Sequence, residues 1–174
     1  MAAPRHPSRI GPVPSRLALT PAITAAPGTY VLLLELGQPV RIAIGRRRPF
    51  DLEAGLYVYV GSALGPGGLR ARLGRHVAGS SCKHWHLDHV TPLAHVHGAL
   101  IREDPLRLEC AWARWVDRES RSCVRGFGAS DCACPGHLFL LGEVAQATAF
   151  VEAAVEALAA RDVPREQLLE VAAH

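Results

Sequence analysis

The sequence predicts one α/β domain, with strands and helices mixed around a single core. Three observations carry that expectation. Short apolar runs, several with β-branched or aromatic residues, recur at 29–36, 40–44, 56–61, 93–101 and 137–141 and are set off by glycines and turn residues, as strands are. Between and after them lie stretches whose apolar residues fall three and four apart, as in amphipathic helices. The 174 residues are 49% hydrophobic and 20% charged, which excludes a disordered chain or a fibre and suits one core without disulfide staples.

Taken in order, residues 1–27 repeat Pro, Ala, Ser and Arg without hydrophobic period and read as a disordered basic leader, with order starting near Gly28. Residues 29–36 and 40–44 read as the two strands of a hairpin. In the strand at 56–61, alternation puts Tyr57, Tyr59 and Gly61 on one face and Leu56, Val58 and Val60 on the other. The Gly-Pro-Gly-Gly turn at 65–68 opens a helix over 69–77 with the stripe Leu69, Leu73, Val77, and Arg72 and His76 lie side by side at its edge. Pro105 reads as the first residue of a further helix, whose apolar face of Leu106, Cys110, Ala113 and Val116 also carries Glu109. Residues 120–136 have no period and read as loop. Helices over 144–160 and 164–172 complete the chain, which divides into the leader, a domain at 28–142 and a C-terminal helical extension at 143–174.

Charge is unevenly distributed. The net charge is +3, but residues 1–27 carry three Arg and no acid, whereas residues 143–174 carry two Arg and six acids. No acid falls between Glu53 and Asp88, a stretch that holds Arg70, Arg72, Arg75 and Lys83 and follows Arg46-Arg47-Arg48. Such a surface suits a polyanion or a solvated basic face. No apolar run reaches the roughly 20 residues of a membrane span, and residues 1–27 hold no secretory core, so the expectation is a cytoplasmic protein with no membrane partner. Cys82, Cys110, Cys123, Cys132 and Cys134 are an odd number, which favours free thiols or metal ligands over a disulfide framework.

Hydrolysis of a phosphodiester needs a base for the attacking water, a cation for the phosphate and often a divalent metal. Tyr59, Arg72 and Glu109 are the residue types for those tasks, and a carboxylate on an apolar helical face is costly unless paired or bound to a cation.

Gly28-Thr29-Tyr30, then Tyr59-Val60-Gly61, then the run from Gly68 through Arg72 to His76 resemble the GIY-YIG nuclease domain. The GTY opening, the YVGSALGPGGL stretch, HWHLD at 84–88 and GFGASDCACPGHLF at 126–139 resemble an uncharacterised prokaryotic branch of that superfamily more closely. The resemblance covers residues 28 to about 141. It implies a small antiparallel or mixed sheet flanked by helices. Tyr30 to Tyr59 spans more chain than the short hairpin common in the superfamily, and an extra hairpin at 38–50 accounts for that length. The resemblance also implies a metal-dependent DNA endonuclease, with Tyr30, Tyr59, Arg72, His76 and Glu109 as catalytic residues and Mg2+ or Mn2+ on Glu109. Tyr59 is the expected group for positioning or deprotonating the water. Arg70, Arg75, Lys83, His84 and His86 are the expected DNA contacts. Members of the similar branch occur beside base-excision glycosylase domains, which points to structured or damaged DNA in repair. Many such nucleases use a late Asn, and this chain contains none, so an inactive nucleic-acid-binding module stays open as an alternative.

Cys132, Cys134 and His137 form a compact set of zinc ligand types. His84 and His86, read as alternating along a strand, are candidates to complete four-coordination, or with Asp88 to line the nuclease cleft as phosphate or metal contacts. A zinc-stabilised interaction domain is the further alternative. Trp85, Trp112 and Trp115 can stack on bases, though aromatic residues at such spacing are more often core.

Overall fold

The computed structural model describes residues 22–45, 49–79 and 83–173. Its centre is β1 (Gly28–Leu36), an apolar strand buried along nearly its whole length, so only an interior place in a sheet can accommodate it. One edge of β1 pairs antiparallel with β4 (Gly55–Ala63) and the other with β5 (His95–Glu103). Outside them lie β7 (Leu138–Gly142) and then β6 (Ser122–Cys123) on the β4 side, and β8 (Arg161–Pro164) on the β5 side. Every pairing is antiparallel, and the sheet has the order β6-β7-β4-β1-β5-β8.

Helices cover both faces. Leu69 and Leu73 of α1 (Gly68–Ala78) and Leu168 of α4 (Arg165–Ala172) pack on the face that holds Tyr30, Tyr57 and Tyr59. Trp112, Ala113 and Val116 of α2 (Glu109–Glu119) and Phe150, Ala154 and Leu158 of α3 (Ala147–Leu158) pack on the face of Leu56, Val58 and Val60. The fold is α+β, and the alternation read along 56–61 holds residue for residue. No helix among the described residues is long and apolar enough to cross a membrane.

Several expectations are corrected. β2 (Val40–Ile42) does not pair with β1; it pairs with β3 (Phe50–Leu52) as a separate two-stranded sheet, because both edges of β1 are taken by longer apolar strands. The inserted hairpin therefore exists, at slightly shifted bounds. Pro105 does not start α2: the Leu106 N–H donates to the Asp104 carboxylate at 2.9 Å, forming a turn that delays the helix to Glu109. Residues 84–86 are not a strand, since a 3-10 turn runs over His86–His89. The short edge strands β6 and β8 fall where the sequence reads as loop and helix end, so the C-terminal segment contributes a strand as well as helices.

Order begins before Gly28. Ile23 is buried in the α1 side of the core. The N-terminus of α1 has no side-chain cap, and its first N–H groups are satisfied from outside the helix. Leu69 N–H donates to the Ala26 carbonyl at 3.0 Å and Arg70 N–H to the Thr24 carbonyl at 2.9 Å. The leader residues 1–21 and the Arg46-Arg47-Arg48 run lie outside the described residues.

Ile23→Ala is expected to lower stability by about 2–5 kcal/mol, the cost of emptying a packed aliphatic site. Urea denaturation of the full chain measures it; a loss below about 0.5 kcal/mol would show that this segment does not pack.

Candidate active site

A cleft of about 380 Å³ opens at the Gly61 end of β4. Tyr30, Tyr59, Ser62, Arg72, His84, Trp85, His86, Arg107, Glu109 and Asp131 are among its lining residues. Four of the five residues expected to be catalytic therefore meet in one place, and the fifth, His76, stands directly behind them.

The strands set the geometry. Tyr30 lies directly across from Gly61 in the β1–β4 register, and a Cβ on Gly61 would collide with the Tyr30 hydroxyl. Glycine two residues after Tyr59 thus clears the space for the Tyr30 ring. Tyr30 and Tyr59 are tilted at 41° with centroids 6.3 Å apart.

From α1, His76 reaches the back of Tyr30. Its Nε2 is 2.9 Å from the Tyr30 hydroxyl and its Nδ1 is 3.0 Å from Asp88 Oδ1. Burial, partly offset by Asp88, pushes the His76 pKa down, so the ring is neutral at pH 7. The Asp88 carboxylate can only accept, hence Nδ1 carries the proton and donates to it. That leaves Nε2 bare, and the Tyr30 O–H donates to Nε2. Asp88 is buried, which opposes ionisation, yet its bonds from His76 and from the Trp85 and His84 N–H groups hold the carboxyl well below the usual range. The Arg75 guanidinium lies 3.4 Å away from the same carboxylate.

Both phenols stay protonated in this environment. Burial is the largest cause for each; Tyr59 and Glu109 add to it at Tyr30, Glu109 adds to it at Tyr59, and Arg72 partly offsets it at both. Arg72 itself lies over the Trp85 ring, 3.9 Å from its centroid, which fixes the guanidinium at the cleft wall.

Glu109 is the first residue of α2, where the helix dipole favours a carboxylate. Ser62 Oγ–H donates to Oε2 at 2.9 Å, and His137 Nδ1 lies 3.1 Å from Oε1. Burial raises the Glu109 pKa, but the His137 bond and charge outweigh it and hold the carboxyl below its ordinary value. His137 moves up in response, burial opposing and Glu109 prevailing.

His137 also faces Cys132, with Nε2 3.4 Å from Sγ. Ligand atoms of Cys110, Cys132, Cys134 and His137 all lie within 4.8 Å of one another, a group that could hold a metal ion. Burial raises the Cys110 thiol, and it raises Cys134, together with the neighbouring thiols, to about 12. At Cys132 burial is outweighed by hydrogen bonds from Cys134, and the pKa falls. Crowded thiols of this kind cannot all ionise without a cation among them.

His84 and His86 line the cleft and do not join the cysteines; Cys110 takes the fourth position. His86 Nδ1 accepts the Gly128 N–H at 2.6 Å, and Gly128 has φ +72, a conformation glycine adopts freely. Of the other expected DNA contacts, Arg75 is engaged by Asp88, and Arg70 and Lys83 are exposed outside the cleft lining. Trp112 is buried and Trp115 packs on Phe150 at 5.8 Å, whereas Trp85 is exposed at the cleft rim. Cys82 lies outside the described residues. Ser62, Arg107 and the place of Cys110 in the cysteine and histidine group escaped the sequence reading. The adjacency of Cys110 to Glu109 was the available signal, while Ser62 sits on the strand face opposite Tyr59 and gave none.

A family profile described as "Domain of unknown function DUF123" matches residues 29–160. The chain belongs to that family. The DUF123 match takes in the whole cleft, from Tyr30 to Asp131, and His137 behind it. No curated protein and no solved structure matches the chain.

Asp88→Asn is expected to cost about 1.5–3 kcal/mol at pH 7, the scale of hydrogen bonds to a buried charge. The native carboxyl pKa is depressed, so its stabilisation is complete above the unfolded value near 4 and fades as pH falls from there towards the native value. Denaturation from pH 7 to pH 2.5 tests this: the gap between wild type and variant should narrow steadily below about pH 4, and a constant gap would refute the assignment.

Proposed function

We propose that this protein is a metal-dependent phosphodiesterase acting on DNA, a nuclease of GIY-YIG type. The observation that carries the reading is the Tyr30–His76–Asp88 hydrogen-bond chain, which opens onto the cleft that holds Arg72 and Glu109.

In this reading Arg72 and Arg107 hold the phosphate, and Tyr59 orients the water. Tyr30 oxygen takes a proton from the water as its own proton passes to His76 Nε2, and ionised Asp88 stabilises the imidazolium that forms. The hydroxyl attacks phosphorus and the bond to the leaving oxygen breaks, the leaving oxygen taking its proton from solvent. No phenolate accumulates, which suits phenols whose pKa values burial has raised.

Glu109 fits Mg2+ or Mn2+: it is an ionised carboxylate at a polar opening, and such ions are commonly held by one or two carboxylates with water and substrate phosphate. Bound there, the ion would neutralise charge developing on the phosphoryl oxygens. The soft donors of the cysteine and histidine group suit Zn2+ instead, in a reducing cytoplasm that keeps the thiols free. Structured or damaged DNA in repair, in concert with base-excision glycosylases, is the substrate class we assign.

The test is cleavage of duplex, nicked, flapped, branched and single-stranded DNA with Mg2+, with Mn2+ and with chelator. Wild type should cut only with metal. Tyr30→Phe, Arg72→Ala and Glu109→Gln should each slow cutting at least about 100-fold, with Tyr30→Phe leaving DNA affinity within about 2-fold. Full-rate cutting by Tyr30→Phe would move the base to Tyr59. Salt-sensitive binding without cutting in either metal would establish the binding module instead.

A further inference from the structure

We infer that Cys110, Cys132, Cys134 and His137 form a closed zinc centre that fixes the orientation of Glu109 through the two nitrogens of His137. The second half of this inference rests on reading Glu109 as the catalytic carboxylate.

The ligands come from three places in the fold. Cys110 is in the first turn of α2, Cys132 and Cys134 are in the irregular segment 124–137, and His137 stands at the entrance to β7. The ends of the set are anchored by regular structure: Val60 N–H donates to the His137 carbonyl at 2.9 Å, and His137 N–H donates to the Phe127 carbonyl at 2.7 Å. Zinc bonds of about 2.0–2.3 Å give tetrahedral edges of roughly 3.3–3.8 Å. The 3.4 Å between Cys132 Sγ and His137 Nε2 is such an edge, and the spread of 4.8 Å over the whole group needs only a small contraction.

Chemistry selects the ion. Three thiols converge with one imidazole, and a disulfide would pair two and strand the third. A divalent ion satisfies all four, and three soft sulfurs with one nitrogen match zinc rather than Mg2+ or Ca2+. Four protein ligands leave no open position, so the centre holds structure and does not itself activate water.

His137 then has one arrangement. Its Nε2 faces the sulfurs and its Nδ1 faces Glu109 Oε1 at 3.1 Å. A metal on Nε2 fixes the proton on Nδ1, which donates to the carboxylate. With Ser62 on the other oxygen, both Glu109 oxygens are oriented. His137 is thus a positioning residue for the cleft.

The test uses the full chain purified under reducing conditions. Elemental analysis should find one zinc per chain, and Co2+ exchanged into its place should give the thiolate charge-transfer bands of a tetrahedral site. Cys110→Ser and Cys134→Ser should each lose the metal at least 10-fold more readily to a chelator, while Cys123→Ser, outside the group, should retain it. In the zinc form, nitrogen NMR should report His137 metallated at Nε2 and protonated at Nδ1, and Glu109→Gln should shift the Nδ1 resonance without loss of zinc. Absence of zinc and of cobalt bands overturns the centre. Metal kept by Cys110→Ser but lost by Cys123→Ser overturns the ligand set. An Nδ1 resonance indifferent to Glu109→Gln overturns the positioning role. None of these readouts depends on cleavage, so failure of the nuclease reading would be seen separately.

Discussion

The full-length antiparallel pairing of β1 with β4 is the constraint on which the rest of the molecule depends. Both strands are buried on both faces, and their register puts Tyr30 opposite Gly61 and Leu32 opposite Tyr59. A slip of one residue would turn Tyr59 to the α2–α3 face and bring a side chain against the Tyr30 hydroxyl. Neither outcome is tolerable in a core packed from both sides. The relative placement of the two tyrosines is therefore a property of the sheet, not of the loops around it. Everything else in the cleft is brought to that fixed pair: α1 carries Arg72 and His76 in from one face, and the start of α2 carries Glu109 in from the other.

Two carboxylates flank the tyrosines, and each is answered by an imidazole. Asp88 meets His76, which is neutral, and the bond runs on to Tyr30. Glu109 meets His137, whose far nitrogen meets sulfur. The chemistry of the second contact differs in each case. Behind Asp88 the chain ends at a phenol able to exchange a proton; behind Glu109 it ends at donors that suit a metal. In the function we propose, one side of the cleft passes a proton and the other holds a carboxylate still.

Much of this was legible in the residues, for physical reasons. Strands buried on both faces read as unbroken apolar runs and a half-buried helix as an apolar stripe, so β1, β4, α1 and the position of Glu109 could be read directly. Pairing partners could not, because β2 follows β1 closely and only competition from longer apolar strands denies it that edge. Short edge strands such as β6 and β8 carry too few residues for a period to show. Of the site, Tyr30, Tyr59, Arg72 and Glu109 were legible through spacing and resemblance. Cys110 was not, since it lies 22 residues before Cys132 and joins it only through the fold. Asp88 was visible as a residue but not as the buried anchor of His76, because a 3-10 turn stands where alternation suggested a strand.

Half of the cleft wall is irregular chain, and the buried charge of Asp88 explains how one such segment keeps its shape. An ionised carboxylate out of water needs donors, and Asp88 receives the backbone N–H groups of His84 and Trp85 besides His76. Those bonds set the backbone that presents His84 and Trp85 to the cleft. The second segment is held by ring packing: Phe127 is buried against Tyr59, His86 and Phe50, the last with centroids 5.2 Å apart. Phe50 belongs to β3, in the hairpin inserted between the two tyrosines. The insertion that separates Tyr30 from Tyr59 along the chain thus supports the wall that faces them, through an aromatic cluster that ties β3, His86 and the Gly126–Gly128 turn together.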